Sequence, residues 1–408
     1  GGETPGGAQN DFRSKGLMEF DIVIVGAGLV GASLAVALKD SGLKLALIEG
    51  RAPAPLPQDD SWDARIYAVN PANARFLDQS GVWSWLDQSR ISPVHEMHVW
   101  GDDAAARLDF TAYQAGVAEL AFIAESRLMQ DGLWQALQGQ SNVEIFCPAA
   151  CTALEVDDDA AILALQDGRV LRSKLVVGAD GRESWVRAHA GFEAKPREYR
   201  QSGVVANFTI EKPHRNCAYQ WFREDGILAY LPLPDDKISI VWSAYEPVAQ
   251  ELLALPGDEF CRRVQEAGKS TLGALQLITP PAAFSLRLLN LEQLVKPRVA
   301  LIGDAAHNVH PLSGQGVNLG FQDARQLAQV LLQREAQRDC GDHFLLRRYE
   351  RARKEDILAM QLVTDGLHKL FNNADPLLRA LRNTGLSLTN HLGGLKNRLM
   401  RHAIGELG

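Results

Sequence analysis

Between Asp21 and Lys39 lie seventeen residues, Ile22–Leu38, without one charged side chain and with glycines at 26, 28 and 31. A run of that length can just cross a thin bilayer as a helix. The flanking charges, the three glycines and the β-like segment that follows argue for another reading. DIVIVGAG is a buried strand, LVGASLAVALKDSG an apolar-faced helix, and LKLALIEG a second strand. Together they make a β-α-β unit with G-x-G-x-x-G at its first turn.

Each glycine has a separate task in such a turn. Gly26 permits the tight bend, Gly28 lets a pyrophosphate approach the backbone, and Gly31 lets helix and strand pack closely. The helix N-terminus then faces the diphosphate with free N–H groups and the positive end of its dipole. Glu49 ends the second strand, where a carboxylate can accept hydrogen bonds from a ribose diol. The unit predicts dinucleotide binding, and the acid suits an adenosine ribose with a free 2′-hydroxyl, as in FAD or NAD.

A chain of 408 residues has room for about two or three domains. With 46% hydrophobic and 23% charged residues it is globular rather than disordered, and a net charge of −8 gives no electrostatic case for nucleic acid. Five irregularly spaced cysteines argue against a disulfide framework and for a reducing compartment. Cys147 and Cys151 lack the C-x-x-C spacing and read as buried thiols. In PVHEMHVWG, read as a strand, His95 and His98 fall on opposite faces, so no metal is expected. Residues 1–17 lack the charged and apolar regions of a signal peptide and are read as a disordered leader or expression remnant.

Farther along, 126–139 has the spacing of an amphipathic helix, with Leu128, Leu133, Trp134 and Leu137 on one face. Short strands are expected at 142–147, 152–156, 160–166 and 171–180. VVANFTI, CAYQWF, ILAYLPL and ISIVWSA then read as an antiparallel sheet. Helices are expected at 258–268, from about 320, and from 341 almost to the end. Phe208, Tyr219, Trp221, Tyr230 and Trp242 admit two readings, the wall of an apolar ligand site or plain core.

Two later motifs narrow the function. VVGADGRESWVR places Asp180, Gly181, Ser184 and Arg187 at the spacing G-A-D-G-x-x-S-x-V-R. ALIGDAAHNVHPLSGQGVNLGFQDA carries Gly303, Asp304, His307, His310, Pro311, Gly314, Gln315, Gly316, Val317, Asn318 and Asp323. With the first glycine motif, this trio resembles the class A flavoprotein monooxygenases related to p-hydroxybenzoate hydroxylase. HPLSGQGVNLGFQD resembles more narrowly the UbiH, UbiF, VisC and Coq6 hydroxylases of ubiquinone biosynthesis, with Ser313 where they usually carry Ala or Gly.

The resemblance implies an α/β fold: a Rossmann-like FAD-binding domain, an inserted antiparallel-sheet substrate domain and a C-terminal helical tail. The expected division gives 18–93, 119–198 and 285–365 to the FAD-binding domain, 94–118 and 199–284 to the substrate domain, and 366–408 to the tail. The implied reaction uses NAD(P)H to reduce FAD, and O₂ then forms a flavin C4a-hydroperoxide that hydroxylates a phenol ring.

Asp304, at a strand end, can accept a hydrogen bond from the FAD ribityl chain. Backbone N–H groups near Gln315, Gly316 and Val317 can meet the flavin pyrimidine edge, which becomes anionic on reduction. Gly26, Gly28, Gly31, Glu49, Gly303, Gly314 and Asn318 complete the expected cofactor set, and His310 and Pro311 are the candidates beside the reaction centre. The resemblance also puts Arg127 near the FAD diphosphate or ribityl and gives Asp180 a part in FAD and NAD(P)H contact. Arg127 can equally be a surface arginine, and His307 a packed histidine. Arg65 matches an arginine of the loop beside the moving flavin, with a surface ion pair as the other reading.

A polyprenylated phenol must be met at a membrane or within a quinone-biosynthesis protein complex. From residue 366 the chain has six Lys or Arg against two acids, with leucines between them. That tail suits an anionic membrane surface or a partner protein, or packing onto the FAD domain. The expected location is cytoplasmic, with peripheral attachment to the inner membrane face. Alternative functions are a flavin monooxygenase of a soluble phenol or secondary metabolite and a non-catalytic flavoprotein scaffold.

Overall fold

The computed structural model describes residues 16–101, 107–308 and 316–371. The rest of the expected tail, 372–408, and most of the expected leader lie outside them.

The opening unit folds as its pattern dictates. β1 (Leu17–Val25) leads through the glycine turn into α1 (Leu29–Ala37), and β2 (Leu45–Ile48) returns parallel to β1, with Ile22 opposite Leu45 and Val25 opposite Ile48. β1 is central in an eight-stranded sheet. On one side it pairs in parallel with β2, which pairs with β8 (Val143–Phe146). On the other it pairs with β11 (Val170–Gly178), followed by β18 (Val299–Leu301) and then, antiparallel, β17 (Val295–Lys296). β9 (Cys151–Val156) and β10 (Ala161–Leu165) form an antiparallel flap on β11. Helices cover the sheet, so Ile22, Ile24, Leu47, Val176 and Leu301 are fully enclosed. That accounts for uninterrupted apolar strands rather than alternation.

On this sheet α1 packs against α4 (Ser126–Gln138) and α8 (Gly316–Leu332), and α9 (His343–Phe371) lies on α8. α4 buries Leu128, Leu133 and Leu137, the face its spacing predicts.

A small antiparallel sheet joins β3 (Ile66–Val69), β7 (Ala121–Glu125) and β4 (Ser92–Val94). After β3, α2 (Pro71–Gln79) starts on an Asn70 side-chain cap. β5 (Glu96–Trp100) and β6 (Arg107–Thr111) pass into a larger sheet, and α3 (Ala112–Ala115) returns the chain toward β7. α5 (Trp185–His189) follows the motif at 176–187.

The larger sheet runs β16-β12-β15-β14-β13-β5-β6. Its strands β12 (Ala194–Ile210), β13 (Cys217–Arg223), β14 (Gly226–Leu233) and β15 (Lys237–Tyr245) are the expected aromatic meander. β16 (Leu275–Leu291) is absent from the sequence reading, because ITPPAA places two prolines in its middle. Proline cannot donate to a ladder. Here β16 is an edge strand, and its register against β12 slips between Val205 and Asn207, where the prolines stand opposite. The expected boundaries at 199 and 284 fall inside this long ribbon.

α6 (Glu246–Ala254) and α7 (Gly257–Ala267) cover one face of the sheet. Phe208, Trp221, Tyr230 and Trp242 are buried there with Leu252, Phe260 and Val264, and Tyr219 packs at the margin. Of the two readings of these aromatics, core is the one the structure gives. The other face carries Val205, Ala218, Leu231 and Val241, which meet Ile66, Ala68, Val94 and Ile123 of the small sheet.

Candidate functional site

The glycine turn sits at the C-terminal edge of β1. Gly26 has φ +103°, and a Cβ there would lie 2.3 Å from the Ala179 carbonyl oxygen. A Cβ on Gly31 would lie 2.0 Å from the Gly26 carbonyl oxygen, so helix and turn touch directly. At Gly28 the opposite holds, because a Cβ would meet nothing within 4 Å. Among the described residues no side chain caps α1, and its first turn holds no acid. An uncapped helix end opening on free space beside glycine is the cradle a diphosphate needs.

Glu49 is fixed at the same turn. Its Oε2 accepts the Ala27 N–H at 2.8 Å and its Oε1 accepts the Arg51 N–H at 3.1 Å. A carboxylate accepting two backbone donors keeps further lone pairs for a ribose diol. Gln130 of α4, which the sequence reading passed over, donates to the Ala27 carbonyl at 2.7 Å and braces the turn from the other side.

Asp304 follows β18 at the head of the Gly303–Ala305 turn and is exposed. Burial pushes the phenol of the neighbouring Tyr67 up, Arg65 draws it back, and Asp304 raises it again. Arg65 and Asp304, 239 positions apart in the sequence, thus both act electrostatically on one tyrosine. Arg65 is exposed, and among the described residues its side chain makes no ion pair.

Gly303 has φ +63°, and its N–H donates to Asp323 Oδ2 at 2.8 Å. The same oxygen lies 2.5 Å from His307 Nε2, and Asp323 Oδ1 accepts Arg353 Nε at 2.7 Å. All three side chains are buried, and His307 is thus a packed histidine. Burial works to raise the Asp323 carboxyl, yet the neighbouring His307 and Arg353 hold it below the ordinary carboxylate range. The network fixes the turn that presents Asp304.

Three expected cofactor residues have different immediate partners. Asn318 Oδ1 accepts from Asn70 N at 2.9 Å and Asn73 Nδ2 at 3.0 Å, and its Nδ2 donates to the Ala68 carbonyl at 2.8 Å. Its carboxamide clamps α8 to β3 and α2. Asp180 Oδ1 accepts the Ser184 hydroxyl at 2.5 Å and Oδ2 the Val186 N–H at 3.0 Å, so the carboxylate starts α5. Arg127 donates through Nε to Glu125 at 3.1 Å and through Nη2 to the Ser61 carbonyl.

Glu125, buried at the end of β7, is a hub that sequence reasoning missed. It also accepts Arg90 Nε at 2.6 Å and Asp63 N at 2.8 Å. Arg90, Arg127 and Glu125 together pin the 61–65 loop beside Arg65. Alternation in AFIAE gives no sign that its terminal acid turns inward.

Gly316 and Val317 open α8, and a Cβ at Gly316 would find nothing within 4 Å. His310, Pro311, Gly314 and Gln315 lie outside the described residues. His95 precedes β5 and is exposed, whereas His98 is half-buried within it, so the two do not converge. All five cysteines are free, and burial pushes the Cys151 thiol up to about 12.

The turn, Glu49, Asp304 and the start of α8 line one edge of the eight-stranded sheet, as a bound FAD requires. The family model described as the FAD binding domain matches residues 19–364. Ubiquinone hydroxylase UbiL of Rhodospirillum rubrum is 35% identical over 390 residues, covering 95% of this chain and 90% of that protein. The 3-demethoxyubiquinol 3-hydroxylase of Escherichia coli is 35% identical over 388 residues, covering 94% and 98%. Among solved structures, pqsL of Pseudomonas aeruginosa, a probable FAD-dependent monooxygenase, superposes with a TM-score of 0.75 at 26% identity, covering 90% of this chain and 99% of that one. Matched over nearly its whole length in sequence and in fold, the chain belongs to the ubiquinone-hydroxylase family of FAD-dependent monooxygenases.

Proposed function

We propose that this enzyme hydroxylates the ring of a polyprenylated phenol in ubiquinone biosynthesis, using FAD, NAD(P)H and O₂. The observation that carries the reading is the near-full-length similarity to two ubiquinone-pathway hydroxylases, on a chain whose glycine turn leaves open the space a diphosphate fills.

The flavin, when bound, supplies the oxygen-activating chemistry. The chain's own residues bind and orient. The free N–H groups at the start of α1 would hold the diphosphate, Glu49 the adenosine ribose, and Asp304 the ribityl chain. The N–H groups of Gly316 and Val317 would face the flavin pyrimidine edge, with Pro311, Gly314 and Gln315 beside it and His310 near the reacting ring. Arg65 stands on the loop that Glu125 anchors. Asp180, in the turn ahead of α5, and Arg127, on α4, would support the cofactor. The sheet face bearing Val205, Leu231 and Val241 is apolar and suits exclusion of water from a hydrophobic substrate.

Attachment is proposed to be peripheral, through the basic tail, to a membrane or a biosynthetic complex. Among the described residues no helix is long and apolar enough to cross a membrane.

A second reading, a small soluble aromatic substrate, draws on pqsL, whose structure is also known in complex with 2-aminobenzoylacetate. Bacterial strains each lacking one ubiquinone-ring hydroxylase decide between them. Restored ubiquinone in one strain, read by mass spectrometry, fixes pathway and ring position. FAD-loaded protein that restores none moves the soluble substrate to the front.

A further inference from the structure

We propose that Glu96, His98 and Cys217 form a binding site for a zinc-like divalent cation, on the face of the substrate sheet turned away from the small sheet. β5 and β13 run parallel with Glu96 opposite Cys217 and His98 opposite Tyr219. Alternate strand residues share a face, so all three side chains project together, although Glu96 and Cys217 are 121 positions apart.

The distances suit coordination. His98 Nε2 lies 3.4 Å from Glu96 Oε2, Cys217 Sγ lies 4.0 Å from the same oxygen, and the three ligand atoms are all within 4.8 Å of one another. Zinc bond lengths to sulfur, nitrogen and oxygen separate tetrahedral ligands by roughly 3.3–3.6 Å. Small rotamer changes close that gap.

His98 is already aimed. Its Nδ1 lies 2.6 Å from Asp109 Oδ1 on β6, leaving Nε2 directed at Glu96 and Cys217. A carboxylate on the far nitrogen is how metal-binding histidines are usually oriented. Arg107 bonds Asp109 through Nε at 2.6 Å, and its Nη2 lies 3.1 Å from His98 Nδ1, farther than the carboxylate.

A thiol, an imidazole and a carboxylate select a borderline cation such as Zn²⁺ over Mg²⁺ or Ca²⁺, which favour all-oxygen sites. Glu96 is 48% exposed and Cys217 8%, so the cluster opens to solvent on the glutamate side, leaving a path in and room for a water as fourth ligand. Burial and Glu96 hold the thiol proton on Cys217, against the hydrogen bond with Tyr219 and the charge of Arg215. Binding forms a Zn–S bond and releases that proton to solvent. The ion would tie β5 to β13 near the edge of the sheet, which revises the sequence expectation of no metal.

The test uses the full-length, FAD-loaded protein, stripped with a chelator and titrated with Co²⁺. The proposal expects one equivalent bound, with visible d–d bands of four-coordinate cobalt at longer wavelength than the flavin absorbs, displaced by Zn²⁺. Cys217→Ser and His98→Ala remove the bands, while Asp109→Asn keeps them and weakens binding about 10–100-fold. Flavin content and circular dichroism show that each variant is folded. Should Cys217→Ser not fold, alkylation of Cys217 in the unaltered protein, mapped by mass spectrometry, is slowed about tenfold or more by stoichiometric Zn²⁺. Absence of saturable cobalt binding, binding unchanged in Cys217→Ser, or alkylation indifferent to zinc each overturns the proposal.

Discussion

Arg353 Nε lies 2.7 Å from Asp323 Oδ1, and neither side chain reaches solvent. The pair joins α9 to α8, and Asp323 passes the constraint on to His307 and the Gly303 N–H. Removing one partner strands the other as a buried charge, so Asp323→Asn is expected to cost about 3–5 kcal/mol. The carboxyl is held below its ordinary range in the folded state. Its contribution is therefore complete above the unfolded pKa of about 4 and is lost as pH falls through the folded value. Urea unfolding of both proteins should show a constant gap from pH 7 to 5 that narrows in stronger acid. A gap that does not change with pH would remove the ionised carboxylate from the account.

The three glycines of the turn should separate fold from cofactor. Gly31→Ala puts a methyl 2.0 Å from a backbone oxygen and is expected to prevent normal folding. Gly28→Ala puts it in open space at an ordinary φ of −64°. The fold should be kept to within about 1 kcal/mol, with FAD affinity down about tenfold or more because the methyl enters the proposed diphosphate space. Thermal melting and flavin retention on gel filtration read the two effects independently. Equal losses in both variants would contradict the assignment.

Asn318→Ala tests a positioning role. It strands Asn70 N, takes a donor from the Ala68 carbonyl and leaves Asn73 Nδ2 only the backbone carbonyl of residue 318, with a stability cost of roughly 1–3 kcal/mol. α8 then loses its anchor on β3, and flavin binding should weaken with its start displaced. Asn318→Asp keeps the acceptor and should recover part of both. If flavin binding is untouched while stability falls, the clamp serves the fold alone.

How far the sequence reaches is plain from particular residues. Gly26, Gly28, Gly31 and Glu49 were legible because turn, helix end and strand end are local and their spacing carries the chemistry. The α4 face was legible for the same reason. β16 was not, since Pro280 and Pro281 deny a strand unless its edge position and the slipped ladder opposite are known. The Glu125 hub and the Glu96–His98–Cys217 cluster depend on partners distant in sequence, which only tertiary pairing supplies. Asn318 belongs to a recognisable motif, yet the motif cannot tell a residue that touches a cofactor from one that holds the touching element in place.

The aromatic face of the substrate sheet offers a check on where the ligand sits. Trp242 is wholly buried against the α6 and α7 side, and among the described residues its Nε1 has no acceptor. Trp242→Phe removes an unpaired buried donor while it shrinks the core, so the net cost should be about 1–2 kcal/mol. The KM for the aromatic substrate should not move, because the proposed ligand face is the opposite one. A several-fold rise in KM with unchanged stability would return these aromatics to the wall of the site.

The last prediction concerns attachment. The +4 balance from residue 366 onward, in a chain of net charge −8, is the sequence basis for an anionic-surface anchor. α9 runs on to Phe371, so a truncation that spares it ends there. In flotation with anionic vesicles the full chain should rise with the lipid at low salt and the 1–371 form should stay below. Added salt should release the full chain, since the attraction of basic residues is screened within about 8 Å at physiological ionic strength. Vesicles of neutral lipid separate the charge effect from burial of the intervening leucines, because a purely apolar attachment would survive both neutral lipid and salt. If both forms remain in the soluble fraction with anionic vesicles, membrane attachment through the tail is ruled out, which leaves a partner protein or packing onto the FAD domain.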